Sequence, residues 1–210
     1  MRRIGLLGGT FDPPHGGHLK LAQLAWEHLK LDELRFIPTF INPKKRAATA
    51  APDARIAMLR QMLIGSPFAI DDVELKLEGV NYTVDTLETL SKREPDAAWI
   101  LVMGSDQTSD LPNWRNAGRI LELASISIAA RPDQQAAKDP KNADGTELPS
   151  LLSGRARSKW SGAPGQVIIL PGTNLELSSS QIRDQLADGA EPIGLSEQVK
   201  DVISQEKLYR

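Results

Sequence analysis

Two histidines three residues apart, His15 and His18, stand in a glycine- and proline-rich segment of a chain that has only three histidines. The segment reads Gly8-Gly9-Thr10-Phe11-Asp12-Pro13-Pro14-His15-Gly16-Gly17-His18. At a helix start, side chains three positions apart lie on the same side, so both imidazoles can reach one phosphate group. Glycines let the backbone approach a ligand closely, and the amides of a helix N-terminus attract anions. The spacing therefore predicts a phosphate site.

This histidine pair could instead be a helix cap, two surface residues or half of a zinc site. A zinc site needs further ligands, and the sequence contains no cysteine. The third histidine, His28, lies about 15 Å further along the same predicted helix. We therefore expect no metal bound directly by the protein here.

The histidine segment joins an apolar run to an amphipathic pattern, and this alternation repeats along the chain. Strands are predicted at Arg3–Leu7, Leu34–Pro38, Ala69–Asp72, Trp99–Met103, Ser125–Ala130 and Val167–Leu170. Strands that alternate with helices form parallel sheets, and consecutive apolar positions indicate that helices cover both faces. We predict one α/β domain over residues 1–210, Rossmann-like, with a mostly parallel sheet and helices on both faces. Ligands of such sheets bind beyond the carboxyl ends of the strands, where the histidine segment lies.

Helical periodicity and capping residues predict the helices that flank these strands. The first runs from about Gly17 to Leu29, and the last covers roughly Ser196–Gln205. A second starts near Pro52, and its apolar positions are Ile56, Leu59, Met62 and Leu63. A third follows Thr83 as its N-cap, and Ser178 with Gln181 has the spacing of a capping box for a helix near the C-terminus.

Composition limits the classes of partner. The net charge is −2, so the overall field does not attract nucleic acid, and we expect no nucleic acid partner. No apolar stretch approaches the length of a membrane span, and the N-terminus lacks a signal-peptide pattern. With no cysteine in the chain, these features predict a soluble cytoplasmic protein without a membrane partner.

Residues 133–165 fit no periodic pattern. They are polar, rich in Pro, Gly, Ala and Ser, and contain the basic patch Arg155–Lys159 followed by Trp160. We predict a mobile surface insertion here. A loop that covers the substrate is the alternative.

Two common nucleotide-binding motifs, the Walker A pattern and the dinucleotide fingerprint, are absent. Residues 9–18 instead resemble the Gly-x-Phe-Asp-Pro-x-His-x-Gly-His signature of the HIGH-type nucleotidylyltransferase superfamily. With Gly8 included, they look like the bacterial nicotinate-nucleotide adenylyltransferase family. Near the C-terminus, Leu177-Ser178-Ser179-Ser180-Gln181-Ile182-Arg183 resembles the family's Ile-Ser-Ser-Thr-x-Ile-Arg. Weaker matches lie at Gly104-Ser105-Asp106, Leu111-Pro112-Asn113-Trp114, Tyr82–Leu87 and Leu208-Tyr209-Arg210.

This resemblance implies transfer of the AMP part of ATP to nicotinate mononucleotide, a step of NAD biosynthesis. It implies His18 at the α-phosphate and His15 along the phosphate chain, with Arg183 and Lys45 at the β- and γ-phosphates. Mg²⁺ is expected to be bound through the ATP phosphates. The residues implied in binding the two nucleotides are Gly8, Gly9, Thr10, Phe11, Thr83, Thr86, Gly104, Asp106, Trp114, Ser179 and Ser180.

Among these residues, Asp106 is implied at the ATP ribose, Trp114 at the pyridine ring, and Thr83 and Thr86 at the pyridine carboxylate. On sequence alone, Asp106, Thr83 and Thr86 could equally be caps. Trp114 could be a core residue, and Arg183 a solvated helix residue. Two rival functions also stay open: a sister transferase that acts on nicotinamide mononucleotide or phosphopantetheine, and a non-catalytic nucleotide sensor.

Overall fold

The computed structural model describes residues 1–41, 48–77, 79–129, 149–171 and 177–210. Six parallel strands form one sheet in the order β3-β2-β1-β4-β5-β6. They are β1 (Arg2–Gly9), β2 (Glu33–Pro38), β3 (Ala69–Ile70), β4 (Ala97–Gly104), β5 (Ala124–Ala129) and β6 (Val167–Leu170). A strand is found at each of the six predicted places, although β3 ends at Ile70 and not at Asp72, and Ala130 lies outside the described residues. The α/β class is confirmed.

Helices follow most strands. They are α1 (Gly16–Leu29), α2 (Pro52–Met62), α3 (Val73–Leu77), α4 (Thr83–Arg93), α5 (Ala117–Leu123), α6 (Ser179–Ala187) and α7 (Glu197–Gln205). The short helices α3 and α5 were not predicted, because five and seven residues are too few to show a helical period. Within the described residues, no helix is both long and apolar enough to cross a membrane.

The order of the strands explains where a site can form. The chain builds β1, β2 and β3 towards one edge, then returns to the centre and builds β4, β5 and β6 towards the other. The connections that leave β1 and β4 therefore diverge, and a crevice opens between the carboxyl ends of these two strands. Gly9 ends β1 and Gly104 ends β4.

Alternation along the strands divides the apolar core between the two faces of the sheet. On β1, Leu6 belongs to one buried cluster, shared with Val84 and Leu87 of α4. Its neighbour Leu7 belongs to the other cluster, shared with Ala22 and Ala25 of α1. Helices on both faces are thus confirmed.

Two predicted details of the helices are wrong. The buried face of α2 contains Arg55 rather than Ile56, because the Arg55 guanidinium finds carbonyl partners inside the protein. Tyr82, and not Thr83, is the N-cap residue of α4, with extended backbone angles, and Thr83 is already helical. The N-cap of α6 is confirmed: Ser178 Oγ accepts a hydrogen bond from the Gln181 amide at 3.2 Å.

The insertion predicted over 133–165 is corrected in its second half. Leu152 is 1 % exposed and Trp160 is 5 % exposed, so both belong to the buried core. The Arg157 amide also donates to the Val167 carbonyl at 2.9 Å, which ties this stretch to β6. Residues 149–165 are therefore anchored to the core at Leu152 and Trp160, although most of them are exposed, whereas residues 130–148 lie outside the described residues.

Candidate active site beyond the central strands

The two histidines meet at the start of α1. Their ring centroids are 3.8 Å apart, and the His15 backbone amide donates to His18 Nδ1 at 3.2 Å. Because Nδ1 of His18 accepts this bond, a neutral His18 ring carries its proton on Nε2. The backbone thereby orients the His18 ring.

His15 is 6 % exposed, and burial lowers its pKa to about 4. The ring is therefore neutral at neutral pH. Its Nδ1 atom is buried and has no hydrogen-bond partner among the described residues. A Cβ atom at Gly17 would lie 3.0 Å from this nitrogen, so the glycine leaves room for the ring.

The ring of Phe11, a residue expected to bind the nucleotide, is enclosed by protein. The ring is 1 % exposed and packs edge-on against His18 at 5.0 Å and against Phe36 at 5.6 Å. A fully buried aromatic ring offers no surface to a ligand. Phe11 therefore supports His18 from below.

Asp12 connects the histidine segment to three distant parts of the chain. Its carboxylate accepts hydrogen bonds from the amides of Thr49 (2.7 Å) and Ala50 (3.0 Å) and from the Tyr209 hydroxyl (2.7 Å). Arg183 donates to the Asp12 backbone carbonyl at 2.6 Å. The histidine segment is thus fixed by a loop, by α6 and by the C-terminal end of the chain.

Arg55 fixes the same segment from the opposite side. The guanidinium is buried and donates to the carbonyls of Thr10 at 2.7 Å and Thr39 at 2.8 Å. These carbonyls follow β1 and β2, so Arg55 holds together the two loops that leave neighbouring strands. Burial lowers the pKa of Arg55, and the nearby Asp12 carboxylate opposes that shift.

The C-terminal motif docks on the histidine motif. Ser179 Oγ donates to the Pro13 carbonyl at 2.9 Å, and Arg183 Nη2 donates to Ser180 Oγ at 3.2 Å. The Arg183 side chain remains 30 % exposed beside Asp12. The interpretation of Arg183 as a freely solvated helix residue is wrong, because the guanidinium spans two motifs.

A pocket of about 620 Å³ opens in the crevice between β1 and β4. Six predicted binding residues line it: Gly8, Gly9, Thr83, Thr86, Asp106 and Trp114. His15, His18, Ser179, Ser180 and Arg183 are not among its lining residues, although Gly9 leads directly into their segment. The structure therefore shows two neighbouring regions, a histidine–arginine cluster and an aromatic pocket.

Gly104 affects this pocket because it determines where the Asp106 carboxylate can lie. A Cβ atom at Gly104 would lie 2.5 Å from Asp106 Oδ1, so only glycine allows the carboxylate to fold back over the end of β4. Asp106 itself lies in a 3₁₀ turn, Ser105–Gln107, and is exposed at the pocket.

The sequence analysis did not identify several residues of the site. Glu74 and Arg115 line the pocket, while Arg55 and Tyr209 hold the histidine segment. Tyr209 stood in a stretch that resembles the family, which was the only signal. Lys45, predicted at the ATP phosphates, lies outside the described residues.

Comparison with known proteins gives a consistent answer. Residues 6–185 match the cytidylyltransferase-like family model. A Hydrogenovibrio crunogenus protein named "probable nicotinate-nucleotide adenylyltransferase" is 35 % identical over 212 residues, with 100 % of this chain and 98 % of that protein covered. A protein of the same name from Pseudomonas syringae pv. tomato is 39 % identical over 193 residues, covering 90 % of this chain and 84 % of the other.

Solved structures agree on the fold. The nicotinic acid mononucleotide adenylyltransferase of Plasmodium falciparum, complexed with NaAD, has a TM-score of 0.74 at 18 % identity. The match covers 100 % of this chain and 98 % of that one. With full-length relatives above 30 % identity and a family model spanning both motifs, the chain belongs to the cytidylyltransferase-like family and, within it, to the nicotinate-nucleotide adenylyltransferases.

Proposed function

We propose that the protein transfers the adenylyl group of ATP to nicotinate mononucleotide, forming deamido-NAD and pyrophosphate. The observation that carries this proposal is the convergence of His15, His18 and Arg183 beside a pocket that contains Trp114 and the start of α4. The cluster is suited to phosphates, and the pocket is suited to a flat ring. We also propose that residues 1–210 act as one nucleotidylyltransferase domain.

In this reaction an oxygen of the acceptor's phosphate attacks the α-phosphorus of ATP. The bond between that phosphorus and the bridging oxygen to the β-phosphate breaks, and pyrophosphate leaves with the electron pair. No enzyme nucleophile is needed, so catalysis consists of positioning and charge stabilisation. Mg²⁺ enters as part of the MgATP substrate, bound through the phosphates.

Each group of the cluster has a proposed task. The Nε2 proton of His18 donates to an oxygen of the α-phosphate, where charge increases in the transition state. The neutral ring of His15 hydrogen-bonds along the phosphate chain. Arg183 contacts the β- and γ-phosphates with the N–H groups that Asp12 and Ser180 do not use. Lys45 is proposed to join it there, and Ser179 and Ser180 to border the same phosphates.

The pocket residues are proposed to hold the two nucleosides. Asp106 accepts from the ribose hydroxyls of ATP, and Trp114 stacks on the pyridine ring of the acceptor. Thr83, in the first turn of α4, is placed where amides and the helix dipole favour the pyridine carboxylate. Gly8 leaves open space for the nucleotide, since a Cβ atom there would meet nothing within 4 Å. At Gly9 a Cβ atom would lie 3.0 Å from the Phe11 ring, so this glycine makes room for that ring.

The test is pyrophosphate release by purified protein with MgATP, with nicotinate and nicotinamide mononucleotides supplied in parallel. We expect pyrophosphate release with both acceptors. The kcat/KM for nicotinate mononucleotide should be higher by roughly a hundredfold, because the amide group of the nicotinamide form would point its N–H donors at the N–H donors of the protein. Equal kcat/KM values, or a higher value for nicotinamide mononucleotide, would disprove nicotinate mononucleotide as the preferred acceptor. Absence of release with any acceptor would remove the enzymatic function altogether.

A further inference from the structure

Trp114 lies in a short connection whose two ends are buried and whose middle is open to solvent. Leu111 at one end and Ala117 at the other are buried, whereas Arg115 and Asn116 are exposed. Trp114 is partly buried, and its side chain lines the pocket. The position of the indole therefore depends on what the exposed middle of this connection contacts.

The side chain of Arg115 extends from this connection to the start of α4. Its guanidinium carbon lies 4.6 Å from the centroid of the Tyr82 ring, a cation–π distance. Its Nη1 atom donates to Asp85 Oδ2 at 3.1 Å. Tyr82 is the N-cap residue of α4 and Asp85 lies in the first turn, so both contacts are made with the same end of one helix. Arg115 and Tyr82 also line the pocket.

Arg115 thus joins the two walls that are proposed to hold one rigid group. In the proposed complex, Trp114 stacks on the pyridine ring, and the first turn of α4 with Thr83 binds the ring carboxylate. The carboxylate is attached directly to the ring, so the distance between these two parts of the ligand is fixed. A site that binds both parts well must keep its two walls at the matching separation before the ligand arrives.

A second ion pair joins α5 to α4 one turn further along. Arg119 Nε lies 3.3 Å from Glu88 Oε1, and these two side chains are about as exposed as those of Arg115 and Asp85. Within the described part of the chain, neither Arg119 nor Glu88 is among the residues that line the pocket. This pair therefore links the same two helices without acting on the connection that contains Trp114.

We propose that Arg115 is a positioning residue that sets the separation between the ring subsite at Trp114 and the carboxylate subsite at the start of α4. The inference rests on the proposed function, because it assumes a pyridine nucleotide acceptor. A neutral amide on the ring gains little from the carboxylate subsite. The correct separation therefore favours nicotinate mononucleotide more than the nicotinamide form, and Arg115 contributes to this preference without a part in the transfer step.

Asp85 distinguishes positioning from direct attraction of the ligand anion by the charge of Arg115. Asp85→Ala keeps the guanidinium and removes the ion pair that holds it. Positioning predicts weaker binding of the acceptor to this variant, whereas direct attraction predicts stronger binding, because a negative charge near the anion is lost. Since Asp85 acts through Arg115, the double variant should lose no more than Arg115→Gln alone.

The experiment measures steady-state kinetics of the wild type, Arg115→Gln, Asp85→Ala, the double variant and the matched control Arg119→Gln. We expect Arg115→Gln to raise the KM for nicotinate mononucleotide by about three- to tenfold, the range of one exposed ion pair and one exposed cation–π contact. The KM for ATP and kcat should stay within about twofold of the wild type. The ratio of kcat/KM for nicotinate over nicotinamide should fall several-fold. Arg119→Gln should change none of these quantities.

An unchanged acceptor KM in Arg115→Gln, or an equal rise in Arg119→Gln, would overturn the inference. A lower acceptor KM in Asp85→Ala or additive losses in the double variant would overturn it as well. Equilibrium binding of the two mononucleotides without ATP gives the same comparison without turnover, and melting temperatures check that each variant is folded. Failure of the proposed function would differ, since the wild type would then adenylylate neither acceptor.

Discussion

At the scale of single residues, the site depends on the protonation of two adjacent imidazoles. His18 has its proton placed on Nε2 by the His15 backbone amide, and His15 is kept neutral by burial. His15 therefore meets an anionic ligand as a neutral ring, and His18 meets it as a ring whose orientation is fixed by the backbone. Orientation of this kind lowers the reorganisation needed in the transition state.

Replacement of His18 tests this arrangement. We expect His18→Ala to lower kcat by about 10²–10³ with little change in the KM for ATP, because the bond to the α-phosphate strengthens only in the transition state. His28→Ala is the control, since His28 is exposed on the same helix. Steady-state kinetics on both variants decide the matter, and near-normal turnover in His18→Ala would disprove the role.

The burial of His15 predicts a loss of stability in mild acid. Its pKa is about 4 in the folded protein and about 6.5 in the unfolded chain, so between these values the unfolded chain binds more protons. This part of the stability is complete above pH 6.5 and disappears as pH falls towards 4. Urea unfolding at pH 7 and pH 5 should show that the wild type loses about 1–2 kcal/mol more than His15→Gln. Equal losses would mean that His15 is protonated in the folded protein.

At the scale of elements, the site is made where strand ends and helix starts meet. β1 ends in Gly8 and Gly9, and α6 reaches the segment between β1 and α1 through Ser179 and Arg183. Ser179 and Arg183 of α6 donate to carbonyls of the loop before α1, so neither element forms the site alone. The motif near the C-terminus works only because α6 packs against the loop near the N-terminus.

Replacement of Gly8 by alanine should weaken nucleotide binding without destabilising the folded protein. The position has no neighbour within 4 Å of a Cβ atom and lines the pocket. We expect Gly8→Ala to leave the melting temperature unchanged or higher, because alanine restricts the unfolded chain. KM for the nucleotides should rise by at least several-fold, since the methyl group takes up space of the ligand.

Gly118→Ala is the matched control for this substitution. Gly118 also has no neighbour within 4 Å, but it lies on α5 away from the pocket lining. Its replacement should stabilise the protein slightly and leave KM unaltered. An unchanged KM in Gly8→Ala would show that the ligand does not occupy this part of the crevice.

At the scale of the whole molecule, Asp12 connects the loop near the N-terminus with Tyr209. The Tyr209 hydroxyl is buried against Asp12, and this contact raises the pKa of the phenol together with burial. The second residue from the end of the chain therefore fixes the loop that carries the histidines. Residues 149–165 contribute Leu152 and Trp160 to the buried core.

Removal of one hydroxyl group tests this closure. Tyr209→Phe keeps the ring and deletes the bond to Asp12, so the free energy of unfolding should fall by about 1–2 kcal/mol. The loss of a fixed loop should also lower kcat several-fold while substrate KM values change less. Chemical denaturation and initial rates are the measurements. A variant with normal stability and normal kcat would show that the C-terminus does not position the site.

The amino-acid sequence by itself determined the local features. Six strands, most helices and the order of the two motifs followed from periodicities and caps that a few neighbouring residues express. His15 and His18 were recognisable for the same reason, because their spacing is local, whereas Arg183 was identified only through the resemblance of its motif to the family.

Only the tertiary structure decided which polar groups are buried and what they meet. Arg55 has the sequence environment of a solvated helix residue, yet it bonds carbonyls that follow two different strands. Glu74 has an ordinary neighbourhood in the chain, and its raised pKa arises from burial beside Thr86. The enclosure of the Phe11 ring is likewise visible only in the fold. Desolvation and long-range hydrogen bonds depend on atoms distant in sequence, so no local pattern encodes them.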